Sequence, residues 1–431
     1  MFIPEIENKT IQQIKEYQEL RLPELLRYLN EKSFFYKELF TKNNIKIEKI
    51  KKLEDLTKIP VTTKDDLQKR NNDFFCVPRK KITDFITTSG TMGEPVTFAM
   101  TSNDLDRLAY NEFISFSCAD TIADDIFQLM VTLDKRFMAG LAYFLGLRKL
   151  GAGIIRIGPG LQELQFESIK RFSPTGLITV PSFLPKLIEY ADEHGIDINN
   201  TSIKKAVCIG EPIRNNDFSL NTLGRKITEK WDIKLYSTYA STEMGTAFTE
   251  CNEGKGGHHH PEMIIVEFLD DQNNPVQEGE PGEVTITTIG VEGMPLLRFK
   301  TGDICYHYTG SCACGRNTMR LGPVIGRKQQ MIKFKGTTLY PPAIYDVLNE
   351  IDCIDNYIVE VYTNDLGTDE LLVKAACKPG TFGNEKIIKD HFRAKLRVAP
   401  DVEFLNPKEI SKLQMPPKTR KPIIFIDNRN N

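Results

Sequence analysis

Apolar positions fall into four regimes along the chain. Ile11, Ile14, Tyr17, Leu22, Leu25, Leu26 and Leu29 recur near helical spacing, which predicts an amphipathic packing helix over residues 11–30. Shorter helices and loops follow to about residue 80. From 85 to about 250, short apolar runs alternate with helical patterns. The runs 126–131, 177–180 and 205–210 read as strands, and Pro181-Ser182 opens a helix around 184–190. This βα alternation predicts sheets covered by helices. Residues 262–310 are rich in strands and turns, which predicts a small β-subdomain. After Gly326-Arg327 the pattern becomes α+β, with helices over 341–350 and 384–396 and strands over 357–362, 371–377 and 423–426. The expected fold class is therefore α/β, with an N-terminal domain over 1–326 and a C-terminal domain over 327–431.

Length and charge narrow the function classes. A chain of 431 residues should hold more than one domain. Its 40% apolar and 26% charged content fits an ordinary globular protein. A net charge of -2 argues against nucleic acid or an anionic membrane as the main partner. Met1 to Glu7 lacks a basic start and an apolar core, so no secretory leader is expected, and no apolar run is long enough to span a bilayer. A cytoplasmic location is the expectation. In a reducing compartment most of the nine cysteines would be small buried hydrophobes, but Cys251, Cys312 and Cys314 lie in Gly-rich polar surroundings.

Four stretches carry candidate chemistry. Thr87-Thr88-Ser89-Gly90-Thr91-Met92-Gly93-Glu94-Pro95 packs hydroxyls and glycines between two apolar runs, which suits close backbone wrapping around phosphate oxygens. It lacks the Gly-Lys-Ser/Thr of a Walker loop. Tyr239-Ala240-Ser241-Thr242-Glu243 combines a flat ring for a purine, hydroxyls for a phosphate and a carboxylate for Mg²⁺. In Thr301-Gly302-Asp303 the carboxylate suits ribose hydroxyls. Gly326-Arg327 precedes a further basic stretch, Lys333 to Gly336. Each alone also reads as an ordinary loop or solvated face; their order and separation single them out.

Taken together, the set resembles the adenylate-forming acyl-CoA synthetase superfamily and, within it, the phenylacetate–CoA ligase family. Residues 88–95 resemble its phosphate loop, 239–243 its Tyr-Gly-x-(Thr/Ser)-Glu segment, 301–303 its ribose aspartate and 326–332, in part, its hinge. The opening also matches, in Gln18–Leu22, Phe34-Phe35-Tyr36 and residues 53–67. The resemblance implies a large domain of helix-flanked sheets with a β-subdomain, and a small mobile C-terminal α+β domain. It implies that Thr88, Ser89, Gly90, Thr91 and Gly93 enclose the ATP phosphates. Gly210, Glu211 and Pro212 would lie along the adenine, and Tyr239, followed by Ala240 and Ser241, would stack on it. Thr242 would contact the α-phosphate, Glu243 the Mg²⁺, and Asp303 and Arg327 the ribose. Lys421, in Arg420-Lys421-Pro422, would neutralise charge during adenylation, with Lys418 as a second candidate. Lys333, Lys335 and Gly336 would face the entering thiol. The pattern departs at Glu94, where the family often has Lys, at Gln329-Gln330 in place of the hinge Asp pair, at Ala240 and at Arg420.

The implied substrates are a small carboxylic acid, ATP and coenzyme A, with Mg²⁺ as cofactor; aromatic acids are favoured by analogy. The expected active site lies between the two domains, whose rotation would serve the adenylation and thioester-forming halves in turn. A carrier-protein thiol or an amine as acceptor, and a non-catalytic nucleotide-binding relative, are the rival readings. A homodimer is the family-based expectation. Phe137, Tyr143 and Phe144 are candidates for the acid pocket, with core packing as the competing and favoured role. Cys251, Cys312, Cys314 and His258 supply a Cys₃His set suited to structural Zn²⁺. The resemblance favours His258 as fourth ligand, with His260 as its rival.

Overall fold

The structure is a computed structural model, and it describes residues 2–88, 95–334, 337–364, 368–416 and 422–429. Two compact units emerge. The first comprises residues 1–220, 224–301 and 305–323, and the second 221–223, 302–304 and 324–431. Among the described residues no helix is long and apolar enough to cross a membrane.

The first unit opens with the helix Ile11–Lys32, capped by Thr10, whose side chain accepts from the Gln13 N–H while Gln13 returns a bond to the Thr10 backbone. It buries Ile14, Leu22, Leu25, Leu26 and Leu29, so the predicted stripe is the packing face, whereas Ile11 is exposed. A hairpin follows, of strands β1 (Asp84–Thr87) and β2 (Thr97–Met100), registered so that Thr87 faces Thr97.

Six strands form the central sheet: β3 (Ile126–Leu129), β4 (Gly153–Arg156), β5 (Gly176–Thr179), β6 (Lys205–Ile209), β7 (Lys234–Ser241) and β8 (Thr246–Thr249). Their order is β4-β3-β5-β6-β7-β8. All neighbours are parallel except β7 and β8. A parallel sheet must be covered on its faces. The helices Ser102–Cys118 and Met138–Leu150 do this in part, burying Phe116, Tyr143 and Leu147 against Phe127, Leu129, Ile178 and Val207. Tyr143 thus takes the core-packing role, with Phe144 half-buried against the same cluster.

A second sheet holds β9 (Gly257–His258), β10 (Ile264–Leu269), β11 (Gly282–Thr288), β12 (Phe299–Tyr308) and β13 (Arg320–Arg327), ordered β10-β11-β12-β13-β9. Gly257 is obligatory here: a Cβ would sit 2.3 Å from the Phe248 carbonyl oxygen.

The second unit holds the two-stranded pair β14 (Ile332–Phe334) and β15 (Thr337–Leu339), and a four-stranded sheet of β16 (Ile354–Thr363), β17 (Asp369–Cys377), β18 (Asp401–Phe404) and β19 (Phe425–Asp427), ordered β18-β17-β16-β19. The helices Pro341–Glu350 and Glu385–Leu396 pack on it through Ile344, Val347, Ile388 and Phe392.

Candidate active site and metal centre

Ligands of open α/β sheets bind beyond the carboxyl ends of the strands. Two predicted segments stand at adjoining ends here. β6 finishes at Ile209 and turns through Gly210, whose φ of +77° is a left-handed conformation that glycine adopts without strain. The Glu211 carboxylate accepts from the Ser182 N–H and hydroxyl, both at 3.0 Å, so its side chain braces this turn. On the neighbouring strand β7, Tyr239 is half-buried opposite Phe248, their ring centroids 6.1 Å apart, while Ala240 is exposed. The chain then turns back through Thr242 and Glu243. The Ser241 hydroxyl accepts from the Met244 N–H at 3.3 Å and pins this turn.

Thr242 and Glu243 line a cavity that they share with Asp104, Arg107 and Met138. Its wall also carries Met100, Met244 and Met294. Neither Tyr143 nor Phe144 reaches it. Thr88 closes the β1–β2 hairpin: its N–H donates to the Val96 carbonyl at 3.0 Å, and its hydroxyl accepts the Val96 N–H at 3.1 Å. Ser89, Gly90, Thr91 and Gly93, which lie between those strands in sequence, fall outside the described residues, as do Lys335, Gly336, Lys418 and Lys421.

In the second unit, Asp303 is buried and accepts from Arg327 Nε at 3.1 Å, so the two residues expected at the ribose meet. A buried carboxyl group needs a hydrogen-bond partner of this kind.

Two positioning arginines carried no motif in the sequence. Arg107 donates from Nη1 to the Gly245 carbonyl (2.8 Å), from Nε to that of Ile289 (2.8 Å) and from Nη2 to that of Met263 (2.6 Å). Its guanidinium clamps the turn after Glu243, and burial pulls it down to about 10. Arg214 donates in a fork to Glu250 at 2.6 and 2.9 Å, tying the turn after Gly210 to the end of β8. The sequence signal would have been a charge inside an otherwise apolar helix face for Arg107; for Arg214 there was none.

The metal-ligand candidates converge. One ligand atom from each of Cys251, His258, Cys312 and Cys314 lies within 4.8 Å of the others. Cys251 Sγ and Cys312 Sγ are 3.7 Å apart, and Cys314 Sγ and His258 Nε2 are 3.5 Å apart. Tetrahedral Zn²⁺, with bonds of ~2.3 Å to sulfur and ~2.05 Å to nitrogen, requires edges of about 3.8 Å between sulfurs and about 3.6 Å between sulfur and nitrogen. The Cys251–Cys312 and Cys314–His258 edges fit that ion. The other ring nitrogen of His258, Nδ1, is 3.3 Å from the Thr318 hydroxyl, the orienting contact that metal-bound histidines use. Burial lowers the His258 pKa and keeps the imidazole neutral, as a ligand must be. A hydrogen bond from Cys251 lowers the Cys314 thiol, the direction that favours the thiolate a metal ligand needs. His260 does not join: its Nδ1 faces Glu7 Oε1 at 2.5 Å. β9 ends at His258, which pairs with Arg320 of β13, so His260 lies beyond the strand, where Glu7 holds its ring.

Residues 36–293 match the family model of the AMP-binding enzymes. The chain belongs to that family, and its fold is that of an adenylate-forming enzyme. More narrowly it is phenylacetate–CoA ligase-like. It is 30% identical to the phenylacetate–coenzyme A ligase of Thermus thermophilus over 84% of this chain and 81% of that one. The Escherichia coli enzyme of the same name is 27% identical over 86% and 84%. Among solved structures, a 2-hydroxyisobutyryl-CoA ligase bound to its acyl-AMP superposes with a TM-score of 0.86 at 21% identity, covering 100% of this chain and 94% of that one.

Proposed function

We propose that the protein activates a carboxylic acid with MgATP and passes the acyl group to coenzyme A. A carboxylate oxygen attacks the α-phosphorus, the bond to the β-phosphate bridging oxygen breaks, and pyrophosphate leaves. The CoA sulfur then attacks the acyl carbon, its proton is lost, and AMP departs with the electron pair of the acyl–oxygen bond. The observation that carries this reading is the placement of Thr242 and Glu243 on a cavity at the carboxyl end of β7, beside the Gly210 turn of β6. Gly210 to Pro212 and Tyr239 take the adenine, and Thr242 donates its hydroxyl to the α-phosphate. Glu243 holds Mg²⁺, which supplies charge neutralisation at the phosphates when bound. Thr88, Ser89, Gly90, Thr91 and Gly93 enclose the phosphates, and Asp303 and Arg327 take the ribose. Lys421 stabilises charge developing on the α-phosphate, the kind of electrostatic contribution that dominates such reactions.

The acid is aromatic in this reading. Support comes from the relatives' names and from the Met100, Met138, Met244 and Met294 wall, because thioethers adapt to ring edges and gain from them. Cys251, His258, Cys312 and Cys314 hold a structural Zn²⁺, with all four positions taken by the protein and none left for substrate. It braces the segment after β8 against the turn between β12 and β13.

The test is Lys421→Ala. Acid-dependent exchange of pyrophosphate into ATP should fall by about 10²-fold or more, the scale of losing one electrostatic stabiliser. Thioester formation from supplied acyl-AMP should change little. Equal losses in both steps would overturn the role. An acyl-AMP that accumulates without ever reaching CoA would move the reading to a carrier-protein or amine acceptor.

A further inference from the structure

Arg316 is fully buried, and it lies two residues beyond a metal-ligand candidate. Its guanidinium joins the metal-ligand loop to the N-terminal segment. Nη1 donates to Cys314 Sγ at 3.6 Å, Nε donates to Glu7 Oε2 at 2.7 Å, and Nη2 donates to the Phe2 carbonyl at 3.2 Å. Glu7 is itself fully buried and spends its other oxygen on His260, also fully buried. The next residue repeats the attachment: Asn317 donates its N–H to the Glu7 carbonyl at 2.7 Å and its side-chain amide to the Asn8 carbonyl at 2.9 Å. Phe2 adds a ring contact to Phe113, centroids 4.9 Å apart. Residues 2–8 are therefore strapped across the loop that carries Cys312 and Cys314, more than three hundred residues later in sequence.

Charge gives the reason for a buried arginine at this place. Zn²⁺ with three thiolates and a neutral imidazole carries one net negative charge, and a buried charge needs a partner. Arg316 is the cation in contact with one of those sulfurs. It in turn needs an anion, and Glu7 is the carboxylate that meets it. We propose that Glu7 and Arg316 are the outer shell of the metal centre, and that seating of the N-terminal strap and occupancy of the metal are coupled. The inference rests on reading the four-ligand set as a zinc site. Coupling of this kind is reciprocal: whatever the metal adds to the seating of the strap, the strap adds to the retention of the metal. Loss of an outer-shell partner typically weakens metal binding 10- to 100-fold.

The experiment uses the full chain. Elemental analysis first counts zinc in the wild type; release of that zinc to an excess of a chromogenic chelator is then timed for the wild type, Glu7→Gln and Arg316→Lys. Both variants should release zinc about tenfold faster or more. Hydrogen exchange of the peptide spanning residues 2–9 is compared in the wild type before and after metal removal, and in Cys312→Ser/Cys314→Ser. Protection of that peptide should fall in the stripped protein and in the double variant. Zinc release at the wild-type rate from both variants, or an N-terminal peptide equally protected with and without metal, would overturn the coupling while leaving the zinc site intact. Wild-type protein that is folded and carries no zinc would overturn the metal reading and the coupling with it. Should Glu7→Gln fail to fold, the exchange measurement on the wild type still decides.

Discussion

Replacing Arg107 by methionine tests whether one buried guanidinium holds the turn after Glu243. The side chain is isosteric enough to fill the space and leaves no charge behind. Three backbone carbonyls, of Gly245, Met263 and Ile289, lose their donor at 2.6–2.8 Å. At about 1 kcal/mol net for each bond the loss is about 3 kcal/mol, because the desolvation cost of the guanidinium is recovered in part while the carbonyls stay underserved. With a denaturant dependence of about 3 kcal/mol/M, the urea midpoint of the first unit should fall by about 1 M. Arg107→Lys should fall between the two, since one ammonium cannot span three carbonyls that a planar fork reaches together. Function adds a second readout: because Thr242 and Glu243 ride on this turn, the KM for MgATP should rise in Arg107→Met under conditions where the protein remains folded. Urea melts followed by intrinsic fluorescence, together with pyrophosphate exchange at several MgATP concentrations, measure both. A midpoint shifted by less than about 0.3 M, or a lysine variant indistinguishable from wild type, would refute the clamp.

Two further outcomes are expected. Glu112 lies buried between helices, with the Asn111 amide donating to it at 3.1 Å, and burial raises its pKa to about 8. The unfolded chain then releases this proton near pH 4.5 and the folded chain only near pH 8, so the protonated carboxyl's contribution is full below about 4.5 and is lost as pH rises through about 8. Urea midpoints measured from pH 5 to 9 should decline over that window in the wild type and flatten in Glu112→Gln; an unchanged slope would sink the assignment. Glu243→Gln should cut adenylation by about 10²-fold with a steeper Mg²⁺ requirement, read by pyrophosphate release across a magnesium titration, whereas a variant with unaltered magnesium dependence would remove Glu243 from the metal's shell.

Element types were legible wherever one period dominated the pattern. The stripe from Ile14 to Leu29 could only be a helix face, and the runs at 126–131, 177–180 and 205–210 became the parallel strands β3, β5 and β6. Strand ends were less legible, since β3 stops at Leu129 although Met130 and Val131 continue the apolar run and are buried. Hydrophobicity reports burial, not pairing. Thr242, Glu243 and Asp303 stood out because their side chains suit phosphate, metal and ribose chemistry, whereas Gly210 was singled out by the family resemblance alone.

What the sequence by itself determined, then, is the order of elements and the chemical kinds of residue available, since both are local: propensity, periodicity and motif spacing act over tens of residues. Which residues meet was decided only by the tertiary structure. Cys251 and Cys312 touch across 61 positions, Glu7 and Arg316 across 309, and the choice of His258 over His260 follows from the partners the closed chain supplies: Cys314 meets the His258 ring and Glu7 the His260 ring. Arg107 shows the same limit from the other side. Its partners are backbone carbonyls, which carry no residue identity, so no pattern of letters could have announced them before the chain had closed around it.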